Sequence, residues 1–315
     1  MLGFCIEASH QRGLGHLYKS VHFVRHLKTL GVDSVVMVNN DQKARETLDQ
    51  HGITHVVADI HESGINWEAK YIKQFGITTW INDRLDTDLI HAERIKHAGI
   101  NLVTFDDHGT GAALADIHFA PLVFTGQEKL LGEKVCTGIR YLVLNQDINA
   151  CKRVRHRLDS ILVSLGGSDT YGVTVRVLEQ LHALRRPATV VIGPSFAHDK
   201  ELAKVLDGGF RVKRHVPSLI KEFVHHDLAI TGGGITPFEA NASGLPCIVI
   251  ANEPHEIEIG QYLARVGSSI FAGYHRAIET MTFDFHLDLA AMSTAGLTEI
   301  TTDGVVQVCR EIMTL

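Results

Sequence analysis

The chain has 315 residues, 45% of them hydrophobic and 21% charged, which suits two globular domains of about 150 residues each. A formal charge of −6 excludes a general basic surface, so we expect no nucleic-acid partner. No apolar run approaches the ~20 residues that a membrane helix needs, so we also expect no membrane insertion.

Cysteine and histidine usage indicates the compartment and the cofactors. The five cysteines are scattered, show no CxxC pair and are odd in number, so they cannot all form disulfides. The first residues, MLGFCIE, lack the basic region of a signal peptide. We therefore expect a cytoplasmic protein. The 20 histidines show no HxH or HExxH spacing, so we expect no metal and no other cofactor.

The first half of the chain alternates short apolar runs with amphipathic stretches, several of which end at glycine. The predicted strands cover residues 2–8, 33–39, 54–60, 78–84 and 101–107. The predicted helices cover residues 15–30, 42–52, 66–75 and 88–98. Strands that alternate with helices of about ten or more residues predict βαβ crossovers and a parallel sheet with helices on both faces.

The alternation weakens between residues 109 and 157 and then restarts. Further strands are predicted at 161–167, 188–194, 210–216, 228–233 and 246–252. The sequence therefore predicts an α/β protein with two doubly wound, Rossmann-like domains, 1–150 and 151–315, with the boundary near 145–158. The apolar positions of a final helix, 303–315, need a surface to pack against, and the N-terminal domain is a candidate.

In open parallel sheets, ligands bind beyond the carboxyl ends of the strands, where loops lead into helices. The first such loop is RGLGH, residues 12–16, after the first strand. Gly13 and Gly15 allow close approach of a substrate, and His16 begins the helix, whose positive end disfavours an imidazolium. We predict that His16 is a catalytic base. The alternative is a histidine that only caps the helix or packs on the loop.

The second loop is GGSDT, residues 166–170, which again lies between a strand and a helix. Its free amides and small hydroxyls suit a phosphate group. We therefore predict that Gly166, Gly167, Ser168 and Asp169 bind the nucleotide. The alternative is an ordinary turn in which Asp169 or Thr170 caps the helix.

The third loop is TGGGITPFE, residues 231–239. Three glycines after an apolar strand are unfavourable unless a ligand fills the space of the missing side chains. Thr236 is the predicted N-cap, and Glu239 in the first turn can accept hydrogen bonds from a ribose diol. The alternative is a glutamate that only supports the helix. The predicted nucleotide-binding residues here are Gly233, Gly234, Ile235, Thr236 and Glu239, together with Val216 at the end of another strand.

Acidic residues follow two predicted strands of the N-terminal half. Asp83 ends one strand, and Asp106 and Asp107 end the next along the chain. One of these carboxylates could orient His16 or hold a sugar hydroxyl. Neighbouring residues on a strand point to opposite faces, so at most one of the Asp106–Asp107 pair is expected to be catalytic, and we predict Asp107.

In this order, the three loops resemble the GT-B superfamily. Within it, the chain is most similar to the group that contains the UDP-sugar hydrolase of pseudaminic-acid biosynthesis and the SpsG-like proteins of spore-coat polysaccharide biosynthesis. The matching segments are GLGH (13–16), FDDHGTGAALAD (105–116), GIRYLVL (138–144), SLGGSDT (164–170) and DLAITGGGITPFEANASGLPCIVI (227–250).

The resemblance implies two domains that face each other across a cleft, a UDP-sugar substrate, and a catalytic base at His16. The chain departs from the group at Cys5 and Glu7, where the group has Arg and Asp. It also has Lys19 in place of an arginine, and His255 and Glu256 in place of an Asn–Gln pair. The expected sugar-side residues are Gly13, Gly15, Lys19, Asp83, His255 and Glu256.

These observations predict an enzyme that cleaves the bond between the anomeric carbon and the phosphate of a UDP-sugar, in bacterial surface-glycan or nonulosonic-acid biosynthesis. Water as the nucleophile makes it a hydrolase, and an acceptor hydroxyl makes it an inverting glycosyltransferase. The other hypotheses are a UDP-sugar 2-epimerase and a non-catalytic nucleotide-sugar-binding protein. The oligomeric state is left open.

Overall fold

The chain forms two units, each built around its own parallel sheet. The computed structural model describes residues 1–8, 15–62, 64–124, 129–214, 216, 218–280, 283 and 285–315, with only the backbone of residues 15, 279 and 280. Unit 1 comprises Met1–Asn145 and Asp303–Leu315, and unit 2 comprises Gln146–Thr302.

Unit 1 contains a seven-stranded sheet in which all strands are parallel. Its strands are β1 (Leu2–Ile6), β2 (Ser34–Val38), β3 (His55–Val57), β4 (Thr79–Asp83), β5 (Asn101–Phe105), β6 (Ile117–Ala120) and β7 (Lys134–Thr137). The order across the sheet is β3-β2-β1-β4-β5-β6-β7. Since β1 lies between β2 and β4, the order reverses there, which makes the carboxyl end of β1 the switch point at which such sheets bind ligands.

Helices cover both faces of this sheet. They are α1 (Gly15–Thr29), α2 (Gln42–Gln50), α3 (Trp67–Phe75) and α4 (Leu89–His97). Phe4, Phe23 and Phe105 lie in the core on one face, where Phe23 meets the other two rings edge-on. A second core on the other face contains Trp67 and Trp80. These two buried layers fix β1 and β4 side by side and so position the loops that follow them.

Unit 2 contains a six-stranded parallel sheet of the same kind. Its strands are β8 (Ile161–Ser164), β9 (Ala188–Ile192), β10 (Phe210–Arg214), β11 (Leu228–Gly232), β12 (Cys247–Ala251) and β13 (Ser269–Tyr274), in the order β10-β9-β8-β11-β12-β13. Its helices are α5 (Val173–Ala183), α6 (Asp199–Val205), α7 (Ile220–Phe223), α8 (Thr236–Ala242), α9 (Glu256–Val266) and α10 (Leu289–Glu299).

A fully buried arginine joins the start of unit 2 to its core. The guanidinium of Arg155 donates to the backbone carbonyls of Phe223, Ser243 and His226. The Phe223 and Ser243 carbonyls lie at the ends of helices α7 and α8, and each also accepts from one backbone N–H, of His226 and Arg153 respectively. Arg155 therefore closes both helix ends with one side chain.

The final helix, α11 (Gly304–Ile312), belongs to unit 1 rather than to unit 2. It buries Val305, Val308, Cys309 and Ile312 in the core that contains the phenylalanines of β1 and α1. Gly304 allows this approach, because a Cβ there would lie 2.0 Å from the carbonyl oxygen of Leu142. The helix thus covers apolar surface that the first 145 residues leave open.

The predicted fold class is confirmed, and three strands were missed. Strands β6, β7 and β13 were not predicted, and the predicted strand 54–60 is limited to the three residues of β3. A 3₁₀ helix, Thr110–Leu114, connects β5 to β6 where a long helix is usual, so the regular alternation is absent from the sequence. In β7 only Cys136 is buried, which leaves no apolar run to detect.

Candidate functional site

The structure brings His16 into contact with Asp83 at the carboxyl edge of the sheet of unit 1. Nδ1 of His16 lies 2.5 Å from Oδ1 of Asp83. The contact follows from the topology, because Ile6 of β1 is in register with Asp83 of β4 and α1 starts close to the end of β1. A carboxylate can only accept, so Nδ1 carries the proton and the neutral ring keeps a lone pair on Nε2. Asp83 therefore holds the ring with Nε2 as its accepting atom.

Lys19, one turn further along α1, completes the group. Its Nζ lies 3.0 Å from Oδ1 of Asp83 and 3.0 Å from Oδ2 of Asp106. The hydroxyl of Ser20 contacts the other oxygen of Asp83 at 3.4 Å. Lys19 is buried, so its ammonium is occupied by the two carboxylates, and the structure does not present it to a sugar as the sequence suggested.

The ionised forms of Asp83 and Lys19 stabilise each other. Burial alone would raise the pKa of Asp83, but the Lys19 ammonium and His16 hold it below its ordinary value. Burial alone would likewise lower the pKa of Lys19, but Asp83 and Asp106 raise it above its ordinary value. Asp83 is therefore ionised and Lys19 protonated throughout the neutral range.

Asp107, the predicted catalytic carboxylate, is not part of this group. Its side chain is buried and accepts hydrogen bonds from the backbone N–H of Thr87 at 3.0 Å and of Gly109 at 2.9 Å, and from the Thr87 hydroxyl. It ties the loop after β4 to the loop after β5. The residue that contacts Lys19 is its neighbour Asp106, which the sequence named but did not select.

The backbone explains why Asp106, and not the predicted Asp107, contacts Lys19. Strand β5 ends at Phe105, and Asp106 has a φ of +49°. The rule that neighbouring residues point to opposite faces holds only for extended backbone. Asp and Asn tolerate the left-handed conformation better than most residues, and here it directs the carboxylate of Asp106 to Lys19.

The remaining residues of the first loop are only partly described. Gly13 lies outside the described residues, and Gly15 is the first residue of α1.

In unit 2, the loop after β8 contains one residue that caps a helix and three exposed residues before it. The carboxylate of Asp169 accepts from the backbone N–H groups of Val173 and Thr174, both at 2.8 Å, and so caps α5. This matches the ordinary-turn alternative for Asp169 and places a negative charge at the helix end. By contrast, the exposed N–H groups of Gly166, Gly167 and Ser168 donate to no acceptor in the described part of the chain.

The three glycines after β11 differ in what surrounds them. A Cβ at Gly232 would lie 2.9 Å from Nδ2 of Asn252, and one at Gly233 would lie 2.5 Å from Cβ of Glu256. A Cβ at Gly234 would meet nothing within 4 Å. Two of the glycines therefore make room for the chain itself, and only Gly234 leaves open space for a ligand.

Glu256, which was predicted to lie on the sugar side, supports two loops of unit 2. Its Oε2 accepts from the backbone N–H groups of Asn252 at 2.6 Å and Gly233 at 3.2 Å, which links the loops after β11 and β12. His255, its neighbour, is exposed just before α9. Val216 is half-buried shortly after the end of β10.

Glu239 lies in helix α8, which begins at Thr236, one residue before the predicted start, with Ile235 as its N-cap. The Glu239 side chain is half-buried, and no described residue hydrogen-bonds its carboxylate. Burial raises the pKa of Glu239 to about 7. A carboxylate that is costly to ionise and has no partner among the described residues is a candidate for a functional site.

Two kinds of site are absent from the described residues: a cluster of metal ligands and a membrane-spanning helix. Within the described ranges, no three His, Cys, Asp or Glu side chains are grouped so that they could hold a metal ion. Across the same residues, no helix combines the length and the apolar character needed to cross a membrane.

Comparison with curated proteins gives two distant relatives, and no family model matches the chain. An uncharacterized protein of Methanocaldococcus jannaschii, MJ1062, is 25% identical over 287 residues, which cover 84% of this chain and 58% of the relative. The spore coat polysaccharide biosynthesis protein SpsG of Bacillus subtilis is 24% identical over 166 residues, 49% of this chain and 48% of SpsG. The chain thus matches about half the length of these relatives.

Solved structures match the whole chain. MurG of Acinetobacter baumannii superimposes with a TM-score of 0.69 at 15% identity, covering 100% of this chain and 99% of MurG. HepE of Anabaena, solved in complex with UDP, gives 0.70 at 13% identity and covers 100% of both chains. The chain has the GT-B fold. A glycosyltransferase of Rickettsia africae gives 0.66 at 12% identity, over 99% of this chain and 97% of its own.

The solved structures confirm the predicted GT-B fold, and the similarity to SpsG agrees with the predicted resemblance. The narrower likeness to the hydrolase of pseudaminic-acid biosynthesis stays a prediction, as do the individual site residues. Sequence alone named Asp83 and Asp106 among the carboxylates of which one could orient His16, without choosing between these two, and it gave no signal for Ser20.

Proposed function

We propose that the chain is a nucleotide-sugar enzyme that hydrolyses the bond between the anomeric carbon and the phosphate of a UDP-sugar, releasing UDP. The observation that carries the proposal is the contact between His16 and Asp83, which leaves Nε2 of a supported imidazole free to accept a proton. The support for a nucleotide comes from unit 2, where no described residue fills the space beside Gly234 or hydrogen-bonds the Glu239 carboxylate.

Unit 2 would hold the nucleotide. The N–H groups of Gly166, Gly167 and Ser168 are suited to the diphosphate, because amides without protein acceptors stabilise phosphate oxygens. Glu239 would accept hydrogen bonds from the ribose diol. As the bond to the sugar breaks, the same amides would stabilise the negative charge that develops on the leaving phosphate.

Unit 1 would supply the base. Nε2 of His16 takes a proton from water, the water oxygen forms a bond to the anomeric carbon, and the carbon–oxygen bond to the β-phosphate breaks with its electron pair on UDP. Asp83 keeps the ring oriented and stabilises the imidazolium that results. General-base assistance of this kind contributes about 10²–10⁴-fold to the rate.

A second candidate is glycosyl transfer, in which an acceptor hydroxyl replaces water at the same base. Its support is the similarity in fold to the glycosyltransferase of Rickettsia africae and to HepE, which has also been solved with UDP and glucose. The similarity to SpsG likewise favours a part in polysaccharide biosynthesis.

The test is incubation of the protein with UDP-sugars in the absence of any acceptor, with UDP and the free sugar measured by NMR. Hydrolysis predicts equal amounts of UDP and reducing sugar. Strict dependence on an added acceptor would reject hydrolysis in favour of transfer, and an inverted C2 with no free sugar would indicate an epimerase. His26→Ala, on the same helix as His16, is the matched control and keeps full activity.

A further inference from the structure

The ammonium of Lys19 is held between two carboxylates beside the proposed base. Its distances to Oδ1 of Asp83 and Oδ2 of Asp106 are both 3.0 Å, and it lies 4.8 Å above the centre of the Phe105 ring. The side chain of Lys19 is 9% exposed, whereas that of Asp106 is 31% exposed. The cation is therefore fixed in a largely buried position, where its charge is weakly screened.

His16 and Lys19 share one acceptor atom. Nδ1 of His16 lies 2.5 Å from Oδ1 of Asp83, the same oxygen that Nζ of Lys19 contacts. The two nitrogen atoms therefore lie within about 5.5 Å of each other, a distance at which unit charges interact strongly outside bulk water. Protonation of His16 must be opposed by Lys19 and favoured by Asp83 and Asp106.

We propose that Lys19 and Asp106 are positioning residues that set the pH at which His16 can accept a proton, Lys19 by disfavouring the imidazolium and Asp106 by offsetting Lys19. Neither residue has to touch the substrate for this. Lys19 lies three residues after His16 on the same face of α1, and the left-handed backbone of Asp106 brings its carboxylate to the ammonium.

Outside this group, the charge of Asp106 also acts on the buried imidazole of His118 on β6. Glu7 follows β1 at the same edge of the sheet, and its carboxylate lies 3.6 Å from Nε2 of the exposed His61. The charged groups shown in contact with one another around His16 come from three elements: Lys19 from α1, Asp83 from β4, and Asp106 from the end of β5. The sign expected for each substitution follows from the charge that it removes.

The experiment is an NMR titration of the His16 imidazole in the full chain, with its signal assigned by its loss in His16→Ala. Lys19→Met removes the cation and should raise the titration midpoint by about one pH unit. Asp106→Asn keeps the shape and the tolerance for the left-handed backbone, removes the anion, and should lower the midpoint by about half a pH unit. Lys19→Arg should keep the midpoint close to that of the parent.

Lys134→Met is the matched control, because it removes the same charge from an ion pair with Glu311 elsewhere in unit 1. It should leave the midpoint within about 0.2 pH unit. Shifts of opposite sign in Lys19→Met and Asp106→Asn are the signature of the proposal, since a loss of packing would not reverse sign with charge. Shifts in one direction, or no larger than the control, would overturn it. If Lys19→Met does not fold, the titration midpoints of Asp106→Asn and Lys19→Arg decide whether the proposal holds.

The acid limb of the pH profile of kcat/KM with a UDP-sugar should move in the same directions. This second measurement rests on the proposed function, whereas the titration needs no substrate. Opposite midpoint shifts without any turnover would therefore leave the proposal about Lys19 and Asp106 standing and reject the proposed function. An acid limb that moves against the midpoints would reject His16 as the base.

Discussion

The raised pKa of Glu239 leads to a prediction about the free energy of unfolding of the ligand-free protein. Its pKa is raised from 4.5 to about 7 by burial, because the half-buried carboxylate is costly to ionise. A group whose pKa is raised in the folded state stabilises the protein below its ordinary pKa and loses that contribution as the pH rises through the folded value. Each pH unit of difference corresponds to about 1.4 kcal/mol, so ionised Glu239 costs the folded state at most about 3 kcal/mol at pH 8.

The substitution Glu239→Gln removes this cost while it keeps the shape of the side chain. We expect the variant to be more stable than the parent by about 1–3 kcal/mol at pH 8 and equal to it near pH 4.5. Urea denaturation followed by circular dichroism at the two pH values measures this difference. Equal or lower stability of the variant at pH 8 would show that the carboxylate has a favourable partner in the protein, and the reasoning would fail.

Three further substitutions test other parts of the structure. Gly233→Ala should destabilise the protein by about 1–3 kcal/mol, because its methyl would lie 2.5 Å from Cβ of Glu256, whereas Gly234→Ala should fold normally and weaken UDP binding measured by calorimetry. Equal effects of the two alanines would contradict the assignment of the open space. Asp83→Asn should lower kcat about 10²–10⁴-fold with unchanged UDP affinity, which steady-state kinetics checks. Arg155→Met should cost about 3 kcal/mol or more in urea denaturation, since it removes three buried hydrogen bonds from a charged donor, and a neutral result would reject that account.

The parallel sheets could be predicted from sequence because their central strands are continuous apolar runs. Strand β12 is buried at every position, and so are all but the first residues of β1 and β2. Peripheral strands such as β7 and β13 are only partly buried, so their sequences lack that signal. The pattern of the sequence therefore describes the centre of each sheet better than its edge.

The candidate site was predictable only down to the level of loops. Placing His16 and Asp83 at one edge of the sheet follows from the βα order, but their contact depends on β1 and β4 being neighbours, which no local pattern gives. The selection of Asp107 used a strand rule one residue beyond the end of its strand. The departure to positive φ at Asp106 becomes visible only in the folded chain.

The glycine run after β11 shows a second limit. From sequence, missing side chains indicate a vacant space but not what fills it. At Gly233 the filler is Glu256, which lies 23 residues further along the chain and was itself predicted to bind sugar. One long-range contact therefore changes the interpretation of two predicted site residues, and it leaves Gly234 and Glu239 as the positions open to a nucleotide.

The central claim is that unit 2 binds the nucleotide while His16 of unit 1 manages the proton. The most direct measurement compares the parent and His16→Ala in two quantities, the Kd for UDP by calorimetry and kcat for a UDP-sugar. The account predicts an unchanged Kd together with a kcat lowered by about 10²–10⁴-fold. An unchanged kcat in His16→Ala would contradict it.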